Sequence, residues 1–256
     1  MHLDVQNVSK VFLTRRGRLL VLDNVNLYIN SGEFVCVLGA SGSGKTTLLR
    51  IIAGLEQPSQ GHVTVDGKVV TGPGSDRGLV FQTYTLYPWL TVQDNIEFGL
   101  KLEGLAKGER RDRVRHYLDI VGLGRYAHLF PHQLSGGMKQ RVAIARALVT
   151  EPQVLLMDEP FGALDAQTKE MMHEFLLALW HRTRTTILMI THDVEEAVFL
   201  AQRIYVLTSS PGHVKQEVVI DLPSDRTFSC KRQLDFVQQR EYILDLLREE
   251  RLKAIA

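Results

Sequence analysis

Over residues 2–30 apolar and polar positions alternate in LDVQNV and LLVLDNVNLYI, the period of strands with one buried face. SGE at 31–33 reads as a turn that delivers the chain into FVCVLG, an unbroken apolar run and so a buried strand. A helix is predicted from Lys45 through Ala53, stopped at Gly54. GHVTVDGKVV (61–70) alternates around Asp66-Gly67 and predicts a hairpin. From about 88 to 150 the pattern changes to helical periods in VQDNIEFGLKL, ERRDRVRHYLDIVGL and GGMKQRVAIARALV, which predicts a helical insert. VLLMDEP (154–160) and TILMITH (186–192) are short apolar runs, each preceded by a helical pattern, the alternation of a mostly parallel sheet; RIYVLTSS (203–210) adds a strand. Apolar residues at Leu234, Val237, Ile243, Leu246 and Leu247 make the tail, about 228–252, an amphipathic packing helix.

The length allows one large α/β domain or two small ones, with one compact unit the default. The chain has 256 residues, 45% hydrophobic and 23% charged, enough apolar material for a packed core. Thirty Lys and Arg nearly cancel 29 Asp and Glu, which disfavours wholesale binding to nucleic acid or another polyanion. No apolar run approaches the roughly 18 residues of a membrane span, and MHLDVQNVSK lacks signal-peptide regions. Cys36 and Cys230 have no metal-ligand spacing, so a reduced, cytoplasmic setting fits.

The strongest chemical feature is GASGSGKTT: Gly39, Ala40, Ser41, Gly42, Ser43, Gly44, Lys45, Thr46 and Thr47. It satisfies G-x-x-x-x-G-K-[ST] between a predicted strand and a predicted helix, the context a phosphate-binding loop requires. Glycines let successive backbone N–H groups converge on phosphate oxygens, and the helix N-terminus adds positive potential. Lys45 is expected to bridge the β- and γ-phosphates, with the Thr46 hydroxyl a Mg²⁺ ligand. The metal also needs a carboxylate, and Asp158 at the end of VLLMD supplies one. Glu159 follows directly and is assigned as general base for an attacking water. His192 ends another strand; it is either an incidental loop histidine or a hydrogen-bond partner of the γ-phosphate.

LSGGMKQRVAIARAL (134–148) takes the reading further, because it resembles the signature of ATP-binding cassette (ABC) ATPases. Ser135, Gly136 and Gly137 precede a helix and offer a hydroxyl, amides and a dipole end to an anion; they equally suit an N-cap with glycine for close packing. The resemblance covers roughly residues 1–215. It implies a P-loop NTPase (RecA-like) α/β core with an N-terminal antiparallel β subdomain and an α-helical subdomain insert. It implies ATP and Mg²⁺ as cofactors, and that the signature of one subunit closes on ATP held by the P-loop of another. It also implies that Phe12 stacks on adenine, unless it is core, that Gln82 approaches Mg²⁺ and the attacking water, and that Asp165 in FGALD lies on the loop crossing the dimer interface. Met138 stands where relatives more often carry Gln, and Gly162 where many carry Ser. On this basis residues 1–225 form the cassette, with the helical subdomain at about 88–150, and 226–256 a helical tail.

PGSDRGLVFQTYTLYPWLTVQDNIEFGL (73–100) and SSPGHVKQEVVIDLP (209–223) resemble ATPase subunits of nitrate/sulfonate/taurine-type importers, a group that includes bicarbonate systems. That implies a second ATPase subunit, transmembrane permease subunits, indirectly a periplasmic or lipoprotein solute-binding protein, and a peripheral place on the cytoplasmic face of the membrane. Tyr87, Pro88, Trp89 and Leu90 are either an exposed docking cluster or buried under the helical insert. A soluble ABC ATPase acting on nucleic acid or ribosomes is the alternative, but such proteins carry two cassettes or a coiled-coil insertion. A P-loop phosphotransferase or GTPase switch would leave the signature helix without a role.

Overall fold

The alternating start of the chain becomes a pair of antiparallel strands, β1 (Leu3–Thr14) and β2 (Gly17–Ile29), in register from Leu3 opposite Ile29 to Thr14 opposite Gly17. The computed structural model describes residues 2–15 and 17–255, without the side chains of 251 and 253–255. The outer bounds of the expected cassette and tail, residues 1 and 256, lie outside the described residues. The chain divides into two compact units, Met1–Gly74 with Arg184–Ala256, and Ser75–Thr183.

The first unit continues with β3 (Phe34–Leu38), α1 (Lys45–Ile52), β4 (Gln60–Val65) and β5 (Lys68–Val69). The second holds β6 (Arg77–Val80), α2 (Val92–Leu102), α3 (Lys107–Ile120), α4 (Gly136–Leu148), β7 (Val154–Asp158) and α5 (Ala166–Thr183). The chain then returns to the first with β8 (Thr186–Thr191), α6 (Val194–Leu200), β9 (Arg203–Leu207), β10 (Val214–Val219) and α7 (Leu234–Ile255).

In the first unit one antiparallel sheet has the order β2-β1-β4-β5. Asp66 and Gly67 both take positive φ, 47° and 74°, the two-residue turn expected from an Asp-Gly hairpin. Asn7 and Asn24, at φ 51° and 47°, sit where the β1–β2 register shifts; their short polar side chains tolerate that conformation at bulges. The parallel strands β8, β3 and β9 lie side by side, with β10 antiparallel on β9. Every residue of β3 is buried, which is why FVCVL reads as a continuous apolar run. Leu38 is level with Thr191 of β8 and Val206 of β9, so Gly39, His192 and the residues after Leu207 leave the same edge.

In the second unit β6 and β7 are parallel, with Val80 level with Met157. Phe81-Gln82 and Asp158-Glu159 therefore emerge from one edge. Val92, Ile96 and Leu100 form the buried stripe of α2, and Thr91 caps it by accepting from Asp94 N. β6 and β10 were not foreseen: RGLV is short and contains glycine, and VKQEVV is an edge strand whose charged residues mask its period. The tail is helical, and of its expected apolar positions Ile243 is buried while Leu234 is not. Leu234 is 68% exposed, whereas Phe236 and Ile243, seven positions apart on one face, are buried.

Candidate functional site

In the first unit the chain leaves β3 at Leu38 and curls through 39–44 into α1. Gly44 is the N-cap of α1 at φ 85°, ψ 8°, and a Cβ there would meet Leu22 Cδ2 at 2.6 Å, so glycine is required by both conformation and space. Ser41 and Gly42 are exposed, while Thr46 and Thr47 are half-buried in the first turn of α1. The first turn of α1 carries no acidic side chain of its own, so its own residues do not oppose an anion at that end. Lys45, 6% exposed, donates from Nζ to the carbonyls of Gly39 at 2.8 Å and Ala40 at 2.9 Å. Ser43 is fully buried; its amide donates to Ala40 O at 3.2 Å, and a Cβ on Gly39 would lie 2.5 Å from its hydroxyl, so its side chain is turned inward. Phe12 is half-exposed on β1 with Lys10 Nζ 4.9 Å from its ring centroid, an open aromatic face rather than a core residue.

His192 follows Thr191 directly and is exposed. Its neighbours brace it: Asp193 N donates to Thr191 Oγ1 at 3.1 Å, Glu196 N donates to Asp193 Oδ1 at 3.1 Å, and the Thr191 hydroxyl donates to the buried Glu196 carboxylate.

In the second unit Asp158 ends β7 and Glu159 takes φ 43°, a left-handed conformation that costs a non-glycine residue about 1–2 kcal/mol. Such strain concentrates where a side chain must be aimed. A Cβ at Gly162 would lie 3.5 Å from Glu159 O and 3.7 Å from Gln82 Nε2, which places the glutamine amide beside the loop carrying the acidic pair. Ser135 is the N-cap of α4, accepting from Met138 N at 3.3 Å. A Cβ at Gly136 would meet Leu164 and Tyr84 OH at 3.1 Å, and one at Gly137 would meet Thr168 at 3.0 Å. These contacts are the close packing that glycine permits at the start of α4. Asp165 caps α5 by accepting from Thr168 N at 2.9 Å and the Thr168 hydroxyl at 2.6 Å; these bonds hold its carboxyl below the usual range.

Two residues escaped sequence reasoning. Asn95, fully buried in α2, donates to the carbonyls of Tyr87, Leu90 and Thr91 at 3.0–3.1 Å and accepts from Tyr87 N at 2.8 Å. It ties down the loop in which Trp89 is 71% exposed, and so decides against a buried Trp89. Tyr87 stacks between Trp89 and Phe98, with centroids at 5.7 and 4.6 Å. Arg146 of α4 donates to Thr85 O and Oγ1, both at 2.8 Å, securing the stretch just after Gln82. The only hint in sequence was a polar residue on the apolar face of each helix.

Thr46 in the first unit carries a hydroxyl, and Asp158 and Gln82 in the second a carboxylate and an amide oxygen; each is a donor type that suits Mg²⁺, which takes one or two protein carboxylates together with substrate phosphates rather than an all-protein cage.

Comparison with known proteins agrees with this geometry. The ABC transporter family model matches residues 22–162. The chain is 56% identical over 265 residues to nitrate import ATP-binding protein NrtD of Synechocystis sp., covering all of both chains. It is 47% identical to bicarbonate transport ATP-binding protein CmpD of the same organism, covering 96% of this chain and 88% of the relative. Among solved structures, an ATP-binding cassette captured as a dimer in a post-hydrolysis state with ADP and Pi superposes with TM-score 0.73 at 36% identity, over 86% of this chain and 100% of that one. The fold is thus a P-loop NTPase core with an antiparallel β portion and a helical portion, and the chain belongs to the ABC transporter family, as one of its ATPases.

Proposed function

We propose that this chain is the ATP-hydrolysing subunit of an importer for a small anion or polar solute of the nitrate or bicarbonate kind. Residues 1–225 act as the cassette, with a helical subdomain at about 88–150, and 226–256 as its tail. Two copies, or this chain and a paralogue, each bind ATP at Gly39–Thr47 and pair so that Ser135, Gly136 and Gly137 of one cap the nucleotide of the other, with Asp165 at the junction. Solved cassettes of similar fold that are dimeric support the pairing. No helix among the described residues is long and apolar enough to cross a membrane, so the transport path belongs to separate permease subunits, fed by a solute-binding protein. The chain sits peripherally on the cytoplasmic face.

The observation that carries the reading is the phosphate cradle: a left-handed Gly44 cap, a first helical turn without acidic residues and Lys45 against the same loop. In turnover Phe12 stacks on adenine, and the backbone amides of Gly39–Thr47 not already bonded within the loop, together with the Lys45 ammonium, hold the phosphates. Glu159 takes a proton from the attacking water while His192 hydrogen-bonds the γ-phosphate. Thr46, Asp158 and Gln82 would hold Mg²⁺, which neutralises charge on the β- and γ-oxygens when bound. The exposed Trp89, anchored through Tyr87, is the docking point for a permease; large exposed aromatics are typical interface anchors. The test is to co-express the chain with its permease, reconstitute both in vesicles with the solute-binding protein, and measure ATP turnover against nitrate, bicarbonate and sulfonates. Stimulation by one of these is expected. Turnover indifferent to all solutes, with steep salt-dependent binding to nucleic acid instead, would overturn the reading.

A further inference from the structure

β9 ends at Leu207, and residues 208–213 carry the chain to β10 along the edge from which the phosphate loop emerges. This connection is tightly built. The Thr208 hydroxyl donates to Pro211 O at 2.9 Å and accepts from His213 N at 3.0 Å, and Thr208 N donates to His213 O at 3.0 Å. Gly212 is stitched to β2, its N–H donating to Val21 O at 2.9 Å and its carbonyl accepting from Asp23 N at 2.9 Å. Gly212 also lies directly behind the phosphate loop: a Cβ on it would fall 2.0 Å from Ser43 O and 3.1 Å from Ser43 C. On another side the loop meets β2, where a Cβ at Gly44 would find Leu22 Cδ2 at 2.6 Å and Val21 O at 3.1 Å. The peptide joining Ser43 to Gly44 is therefore wedged against the backbone of two other segments. The amide plane is rigid, so fixing the Ser43 carbonyl also fixes the N–H of Gly44 on its opposite side.

We propose that Gly212, held by Thr208, is a positioning residue for nucleotide binding: the 208–213 loop sets the Ser43–Gly44 peptide from behind and so aims the amides that receive the phosphates. This rests on reading Gly39–Thr47 as the phosphate site. φ of Gly212 lies outside the left-handed region, so an alanine there meets the Ser43 carbonyl without adding backbone strain of its own. The loop must move, by an amount on the scale at which misplacement costs enzymes one to two orders of magnitude.

The experiment is ATP titration of turnover, paired with equilibrium nucleotide binding, in Gly212→Ala. A positioning role raises KM and Kd for ATP about tenfold or more while kcat at saturation stays within about threefold. A purely structural role instead lowers kcat through loss of folded enzyme and leaves KM alone; wild-type KM and Kd in folded Gly212→Ala overturn the proposal. If Gly212→Ala does not fold, Thr208→Val decides: it removes the hydroxyl but keeps the shape, and should raise KM, with Thr208→Ser restoring it. Wild-type KM in Thr208→Val then overturns the proposal. Gly108→Ala, where a Cβ meets nothing within 4 Å, is the neutral control. Lys45→Ala separates the two claims: intact ATP binding there removes the phosphate-site reading itself, whereas weakened binding there with unaffected Gly212→Ala removes only this inference.

Discussion

Lys45 Nζ donates to the carbonyl oxygen of Gly39 at 2.8 Å, so the first side chain of α1 closes onto the residue at which the phosphate loop begins. Together with the bond to Ala40 O, this holds the ammonium, 6% exposed, within the loop before any phosphate arrives. A phosphate oxygen brings a negative charge to the ammonium where the carbonyls are neutral, so its bond is the stronger. Lys45→Ala should therefore weaken ATP binding by about 10- to 100-fold, the equivalent of about 1.5–3 kcal/mol for a hydrogen bond to a charged group. Nucleotide titration by fluorescence checks this; unchanged affinity contradicts it.

Asn95 makes four hydrogen bonds to the backbone of 87–91 from a fully buried site. Asn95→Leu keeps the branched shape but strands those groups, and should cost about 2–3 kcal/mol in chemical denaturation. Because the same bonds present Trp89, the variant should also bind permease more weakly than its loss of stability accounts for.

Trp89→Ala tests docking itself. Truncation of an exposed aromatic anchor at the centre of an interface costs about 2 kcal/mol or more, roughly 30-fold in affinity. Co-purification with the permease from detergent extract should fall accordingly; undiminished recovery moves the docking surface elsewhere.

Much of this was legible beforehand. The strand–glycine loop–helix order of 34–53 was readable because each local signal agrees with the tertiary environment: β3 is buried on both faces and Gly44 needs its left-handed conformation. Asp158, Glu159 and His192 were legible as strand ends. The burial of the Ser43 side chain was not, because a motif specifies residue types and not which atoms face inward. Arg146 and Asn95 were hidden because their partners are backbone carbonyls, which carry no sequence signal. Leu234 misled because a period predicts a face but not where the covering surface ends.

Glu97 of α2 gives a pH signature. Its partial burial raises the carboxyl pKa, but bonds from Lys101 at 2.7 Å and Arg110 Nε at 2.9 Å outweigh this and leave it below the ordinary value. A depressed folded pKa stabilises above the unfolded value, about 4.3, and that contribution is lost as pH falls through the lower folded value. Stability measured by urea denaturation between about pH 7 and 3 should therefore fall less steeply at the acid end in Glu97→Gln than in wild type. Identical slopes would contradict the pairing.

The central claim is that Glu159, in its left-handed turn after β7, is the base of an ATPase formed by two paired cassettes. Its most direct test is single-turnover hydrolysis by purified Glu159→Gln, with ATP-dependent dimerisation followed by light scattering. Hydrolysis should fall by about 10²–10⁴-fold, with ATP still bound and the dimer accumulating; turnover at the wild-type rate would contradict the account.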